Sequence, residues 1–98
     1  MNKFTPGPWF VSGTMTKYVE ARIGGGLIQE VASCGPTEAD GGYGDQQRAN
    51  AQLISMAPDL LDALDRMVRC AQKQNWNDHY PEEMAASYLA IDRARGEV

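Results

Sequence analysis

Apolar residues alternate with polar ones in the first third of the chain and recur at three- and four-residue steps in its second half. Trp9-Phe10-Val11 is a short apolar run, broken by Ser12-Gly13-Thr14. From Met15 to Ile23, Met15, Val19, Ala21 and Ile23 fall on one face, with Lys17 the exception. Thr16, Tyr18, Glu20 and Arg22 fall on the other, the two-residue period of a half-buried strand. Gly24-Gly25-Gly26 then separates this run from Leu27 to Ala32, a third strand. Glycines between two strand-like runs mark a hairpin, because such turns need positive φ. The opening Thr5-Pro6-Gly7-Pro8-Trp9 reads as a turn, since proline fixes φ and glycine relieves the backbone between. Trp9 is the expected anchor of the sheet to the helices.

Ser33 to Asp45 has no apolar period and holds four glycines, so it reads as a loop. Helical spacing starts near Gln46, with Asp45 placed to cap the backbone N–H groups of Gln47 or Arg48. Leu53, Ile54, Ala57, Leu60, Leu61, Leu64, Met67, Val68 and Ala71 then form an amphipathic stripe expected to face the sheet. Pro58 interrupts it. A proline inside a helix removes a backbone bond and disfavours α geometry at the residue before it. The spacing therefore predicts one helix ending near Met56 and another with Pro58 in its first position and Asp59 in its first turn. Gln74 to Tyr80 is a polar connection containing Trp76 and His79. Pro81-Glu82-Glu83 opens a third helix, with Met84, Tyr88, Ile91 and Ala94 as its inner stripe and Ala85 and Leu89 alongside. Arg93 and Arg95 oppose the helix dipole near its end, and Gly96 closes it.

Strands followed by helices predict an α+β fold: a small antiparallel sheet of about three strands, then two or three helices packed on it. The 98 residues suit a single domain, divided into a β-meander (1–33), a Gly-rich loop (34–45) and a helical part (46–96). A chain of this length has a thin core, and pairing with copies of itself is one way to complete it. An apolar content of 43% and a charged content of 22% are those of a globular protein rather than a disordered one. The net charge of −4 points away from DNA or RNA, whose binding draws on Lys and Arg against phosphate. Acidic and basic residues are interspersed, which also argues against mimicry of DNA. No apolar run reaches the roughly 20 residues that span a bilayer, and the opening residues lack a signal segment, so residence in the cytoplasm is expected. Cys34 and Cys70 are expected as free thiols in that compartment.

With these segments in place the chain resembles a widespread family of short phage and prophage proteins. The likeness rests first on Thr5-Pro6-Gly7-Pro8-Trp9. After a variable hairpin comes an Ala-Asn-Ala-x-Leu-Ile-x-x-Ala-Pro-x-Leu-Leu-x-Ala-Leu run, here Ala49 to Leu64. The close, Ala90-Ile91-Asp92-Arg93-Ala94-Arg95-Gly96-Glu97, also looks like the family's Ala-Ile-x-x-Ala-x-Gly ending. The resemblance implies a phage gene context and supplies no catalytic residue to carry over.

Residue inventory weighs against an enzyme. A catalytic triad needs a nucleophile, a base and an orienting group within hydrogen-bond reach, and the single histidine, His79, has no Ser or Cys motif placed to join it. Two distant cysteines and one histidine make a poor metal site, and Glu82-Glu83 is simply a helix start. No cofactor is implied: a phosphate loop would need a helix after Gly24-Gly25-Gly26, where a strand is expected. The one candidate binding region is Gly41 to Asn50. There Tyr43 could stack on a base and Arg48 could fork onto a phosphate at a helix start, with Gln47 and Arg22 completing the set. An ordinary capped helix behind a solvated loop is the competing reading. Trp9, Asn50, Pro58, Leu61 and Leu64 are assigned structural roles, with Asn50 expected to be buried and bonded to the backbone of Thr5 to Trp9.

The functional expectation is a non-enzymatic phage accessory protein that self-associates and acts by binding, blunting a host defence. It would either hold a small anionic nucleotide signal or cap a host defence protein. The alternative is a structural or regulatory interaction module with no anti-defence role.

Overall fold

The computed structural model describes residues 3–36 and 43–96, Pro36 and Tyr43 by backbone alone. The fold is α+β, a three-stranded antiparallel sheet followed by helices. The chain divides into two compact units, Thr5–Pro58 and Asp59–Val98, the second including Met1–Phe4.

In the first unit β1 (Trp9–Ser12), β2 (Thr16–Ile23) and β3 (Leu27–Pro36) lie in chain order, β2 in the middle. Alternation along β2 decides its buried face: Val19 and Ala21 are both 0% exposed. Their partners on β1 are Val11 and Trp9. The expected hairpin is present, with Gly24–Gly26 as a single 3-10 turn in which Gly25 and Gly26 have φ of 77°. The Trp9 indole Nε1 donates to the Thr5 carbonyl at 3.0 Å and holds the entry turn closed. Helix α1 (Tyr43–Ser55) touches all three strands. Ala51 of this helix is fully buried, small enough to let the helix backbone approach the strands.

Several expectations need correction in this unit. β3 runs to Pro36, into the stretch assigned to loop, and α1 starts at Tyr43 rather than Gln46. Pairing of Lys17 with Gly35 and Thr16 with Pro36 continues the ladder where side-chain alternation has ended. Register shifts opposite Lys17/Tyr18 and Val19/Glu20 leave Cys34 and Val31 as extra residues on β3, so its faces do not follow a strict period of two. Residues 37–42 of the expected loop lie outside the described residues. Asp45 sits inside the first turn of α1 instead of capping it. Met15 and Ile23, placed on the inner face from sequence, are exposed at the strand ends.

The register sets Glu20 directly opposite Glu30. The Ser12 hydroxyl donates to Glu20, while Glu30 is exposed with a like charge across from it. Like charges directly opposite on neighbouring strands oppose pairing. Glu30→Lys is expected to stabilise the sheet by about 0.5 kcal/mol and raise the melting temperature by about 3 °C. A thermal melt showing no gain removes the assignment.

The second unit holds most of α2 (Ala57–Lys73), then α3 (Trp76–His79) and α4 (Pro81–Ala94). Pro58 is the second residue of α2, one place later than predicted, and Asp59 lies in the first turn as expected. Val68, Ala71, Met84 and Ile91 form the core, with Leu61, Leu64 and Tyr88 packed against it. Polar ties lock the same helices. Asp65 of α2 accepts from Arg69 at 3.0 Å and from Arg95, just past α4, at 3.5 Å. The Tyr88 hydroxyl accepts from Gln72 Nε2 at 2.8 Å and donates to Asn77 Oδ1 at 2.9 Å, joining α2, α3 and α4. Gly96, with φ of 73°, ends α4 as predicted, and its N–H donates to the Arg93 carbonyl at 3.0 Å. The polar connection of the sequence contains a short helix, α3, entered through Asn75 in the left-handed region at φ 62°.

The long apolar stripe is only partly used. Leu53, Ala57, Leu60 and Met67 are exposed, as are Ala85, Leu89 and Ala94 of the α4 stripe. Among the described residues no helix is long and apolar enough to cross a membrane.

Candidate functional site

The residues singled out from sequence do not converge. Tyr43 is the first residue of α1, and its side chain lies outside the described residues. The Arg48 guanidinium is engaged by Asp45 at 2.8 Å, one turn away on the same helix. Gln47 packs against β3: a side-chain carbon added at Gly35 would meet its Cγ and Nε2 at 3.4 Å. Its Oε1 is buried with no hydrogen-bond partner among the described residues. Gly35 pairs with Lys17, which shares a face of β2 with Val19 and Ala21, whereas Arg22 lies on the opposite face. There its guanidinium sits 5.5 Å from the centre of the Phe10 ring. The sheet therefore separates Arg22 from Gln47.

Of the structural assignments, Leu61 and Leu64 support the helical core. Pro58 meets the entry turn: a side-chain carbon at Gly7 would come within 3.1 Å of Pro58 Cβ. Asn50 is exposed, contrary to expectation, and its neighbour Ala51 takes the buried position. The Thr5 carbonyl is satisfied by Trp9 rather than by Asn50. His79 stands 6.5 Å from the Tyr80 ring. Cys34 and Cys70 are both free thiols. No group of three or more His, Cys, Asp or Glu able to hold a metal occurs among the described residues.

The structure instead gathers an apolar groove in the helical unit. Leu64, Met67, Val68 and Ala71 of α2 face Met84 of α4 across Trp76, enclosing about 160 Å³ with Glu83 and Ser87 on its lip. A second depression of about 120 Å³ adjoins it, sharing Met67, Ala71 and Trp76. The Trp76 ring is tilted against Tyr80 with centroids 4.9 Å apart, so the two aromatics brace one another. Trp76 is 42% exposed and Met67 64%. Burying part of an indole leaves a rigid amphipathic surface, and an open methionine adapts to what it meets. Aromatic and methionine side chains of this kind are enriched at the cores of protein interfaces.

Sequence reading missed this groove because Trp76 lies in a connection with no periodic stripe to belong to. The available signal was a large aromatic pair, Trp76 and Tyr80, in an otherwise polar segment.

The family described as Salmonella phage P22 protein Y8K6 matches the chain over residues 1–98. No curated protein matches it, and no solved structure does.

Proposed function

The chain belongs to the family of Salmonella phage P22 protein Y8K6, and from that premise we propose that it is a non-enzymatic phage accessory protein that acts by binding. Its target is a host protein of antiviral defence, which it caps through the groove around Trp76. The observation that carries this reading is the open aromatic and methionine surface of Trp76, Tyr80 and Met67 beside Met84. Truncating a central aromatic anchor at such a surface typically costs 2 kcal/mol or more of binding, about thirtyfold in affinity. A protein partner is favoured over a small anionic nucleotide because Arg48 already has Asp45 at 2.8 Å, and Arg22 lies over Phe10.

The experiment expresses the chain in hosts with and without individual defence systems and compares phage plating. Wild type is expected to restore plating against at least one system, with Trp76→Ala losing the effect while keeping its thermal stability. Equal plating in every host, whether or not the chain is expressed, removes the anti-defence role. Plating restored equally by wild type and Trp76→Ala moves the binding surface elsewhere.

A further inference from the structure

Helix α2 carries two apolar stripes, and the core of its unit uses one. At about 100° per residue, Leu61, Leu64, Val68 and Ala71 share the stripe that faces the core. Leu60, Ala63, Met67 and Cys70 form the next stripe around the helix, and all four are exposed, Leu60 by 54%. Their spacing of three, four and three is that of the a and d positions of a heptad, the seam along which helices pair. Beside the seam Asp59, Arg66 and Lys73 stand seven residues apart in one column, the place of the charged flanking positions. An open depression of about 430 Å³ follows the seam, lined by Asp59, Asp62, Ala63, Arg66, Met67 and Cys70.

We propose that this seam joins two copies of the chain through antiparallel α2 helices. Direction follows from size and charge. Antiparallel pairing layers Leu60 on Cys70 of the second copy and Ala63 on Met67 of the second copy, a larger residue against a smaller one each time. The same register carries Asp59 to Lys73 of the second copy, and two-fold symmetry makes that pair twice. Arg66 then faces its counterpart near the axis, the one like-charge approach, but each guanidinium is already held by Asp62 of its own chain at 3.0 Å. Parallel pairing would instead stack Cys70 on Cys70 and set the charged column beside Leu64 and Ala71 of the second copy, with no opposite charge to meet. Met67 belongs to both the seam and the groove, so residues confined to one surface separate them: Leu60 and Asp59 for the seam, Trp76 for the groove.

The test is oxidative cross-linking and sedimentation of the full chain in a Cys34→Ser background. Leu60→Cys with native Cys70 is expected to form a disulfide-linked dimer under mild oxidation, whereas the chain with Cys70 as its sole thiol is not. Within one helix the two positions are about 15 Å apart, too far to bridge. Asp59→Lys is expected to weaken the dimer about tenfold, and Asp59→Lys/Lys73→Asp to restore it, since only the pairing partner has been exchanged. Efficient cross-linking of Cys70 alone overturns the antiparallel direction. A monomer at about 100 μM, corresponding to at most about 5 kcal/mol of association, overturns the seam, as does loss of the dimer in Trp76→Ala.

Discussion

Replacing Ile91 with alanine is expected to lower the stability of the protein by about 3 kcal/mol, the largest effect of any single truncation on α4. Ile91 is 4% exposed and, among the described residues, shares its core with Val68, Ala71 and Met84, all short or unbranched, with Leu61, Leu64 and Tyr88 at the margin. A core with so few members has no spare side chain to move into the space left behind. The loss therefore combines the transfer of three carbons with a cavity that does not collapse. Small domains hold roughly 5–15 kcal/mol in total, so the deficit is a large share. Urea unfolding should show a lower midpoint with an unchanged slope. Leu89→Ala, on the same helix but exposed, is the control and should stay within about 0.5 kcal/mol. Equal losses in the two variants would mean that the burial pattern of α4 is misassigned.

The contrast between these two leucine-sized positions shows what periodicity conveys and what it omits. Met84, Tyr88 and Ile91 recur at helical steps, and the structure places all three toward the core. Leu89 and Ala94 fit the edge of the same pattern and are exposed, since they lie off the side of α4 that meets this core. In α2 the apolar arc extends around about half the helix, wider than the roughly 100° that one packing partner covers. Period alone cannot say which part of so wide an arc goes inward. Leu61, Leu64, Val68 and Ala71 do; Leu60 and Met67, on the same nine-residue list, do not. The break between α1 and α2 was nonetheless legible to within a residue, because proline disfavours α geometry just before it. The division into two units at Pro58 and Asp59 was not, since length and composition suggest a single domain.

Strand β2 and its hairpin to β3 were legible for a complementary reason. A two-residue period over eight positions has few competing explanations, and three consecutive glycines offer a turn with no steric penalty. The far end of β3 was not, since Val31 and Cys34 are extra residues that shift side chains out of phase with the sequence pattern. Bulges arise from the fit between two backbones and leave no mark in hydropathy. The candidate site fared less well than the fold. Tyr43, Gln47, Arg48 and Arg22 were grouped by chemistry, but Gln47 and Arg22 lie on opposite faces of the sheet and Arg48 is held by Asp45 on its own helix. The groove around Trp76 depends on where α3 falls between α2 and α4, a tertiary fact that no local spacing encodes.

Gly13→Ala is expected to be as severe as any substitution in the sheet, on the order of 3 kcal/mol, although Gly13 is exposed. Two penalties combine. Its φ of 90° lies where residues with a side chain are strained, at about 1–2 kcal/mol. The added carbon would also lie 2.0 Å from the Thr16 carbonyl oxygen, a backbone atom that cannot move without disturbing the start of β2. The Gly13 carbonyl accepts from Lys17 Nζ at 2.6 Å, so a change in φ there breaks this tie as well. Because β1 is only four residues long and pairs from Ser12↔Tyr18 to Trp9↔Ala21, a shifted turn leaves few pairs to hold its register. Gly25→Ala separates the two penalties. Its φ of 77° is similarly strained, but nothing lies within 4 Å of the added carbon, so the cost is the conformational part alone, about 1 kcal/mol. Thermal unfolding of the pair should therefore differ by about 10 °C, with Gly13→Ala the lower. Equal melting temperatures would show that the β1–β2 turn yields freely, and that the close approach of Gly13 to Thr16 does not constrain the sheet.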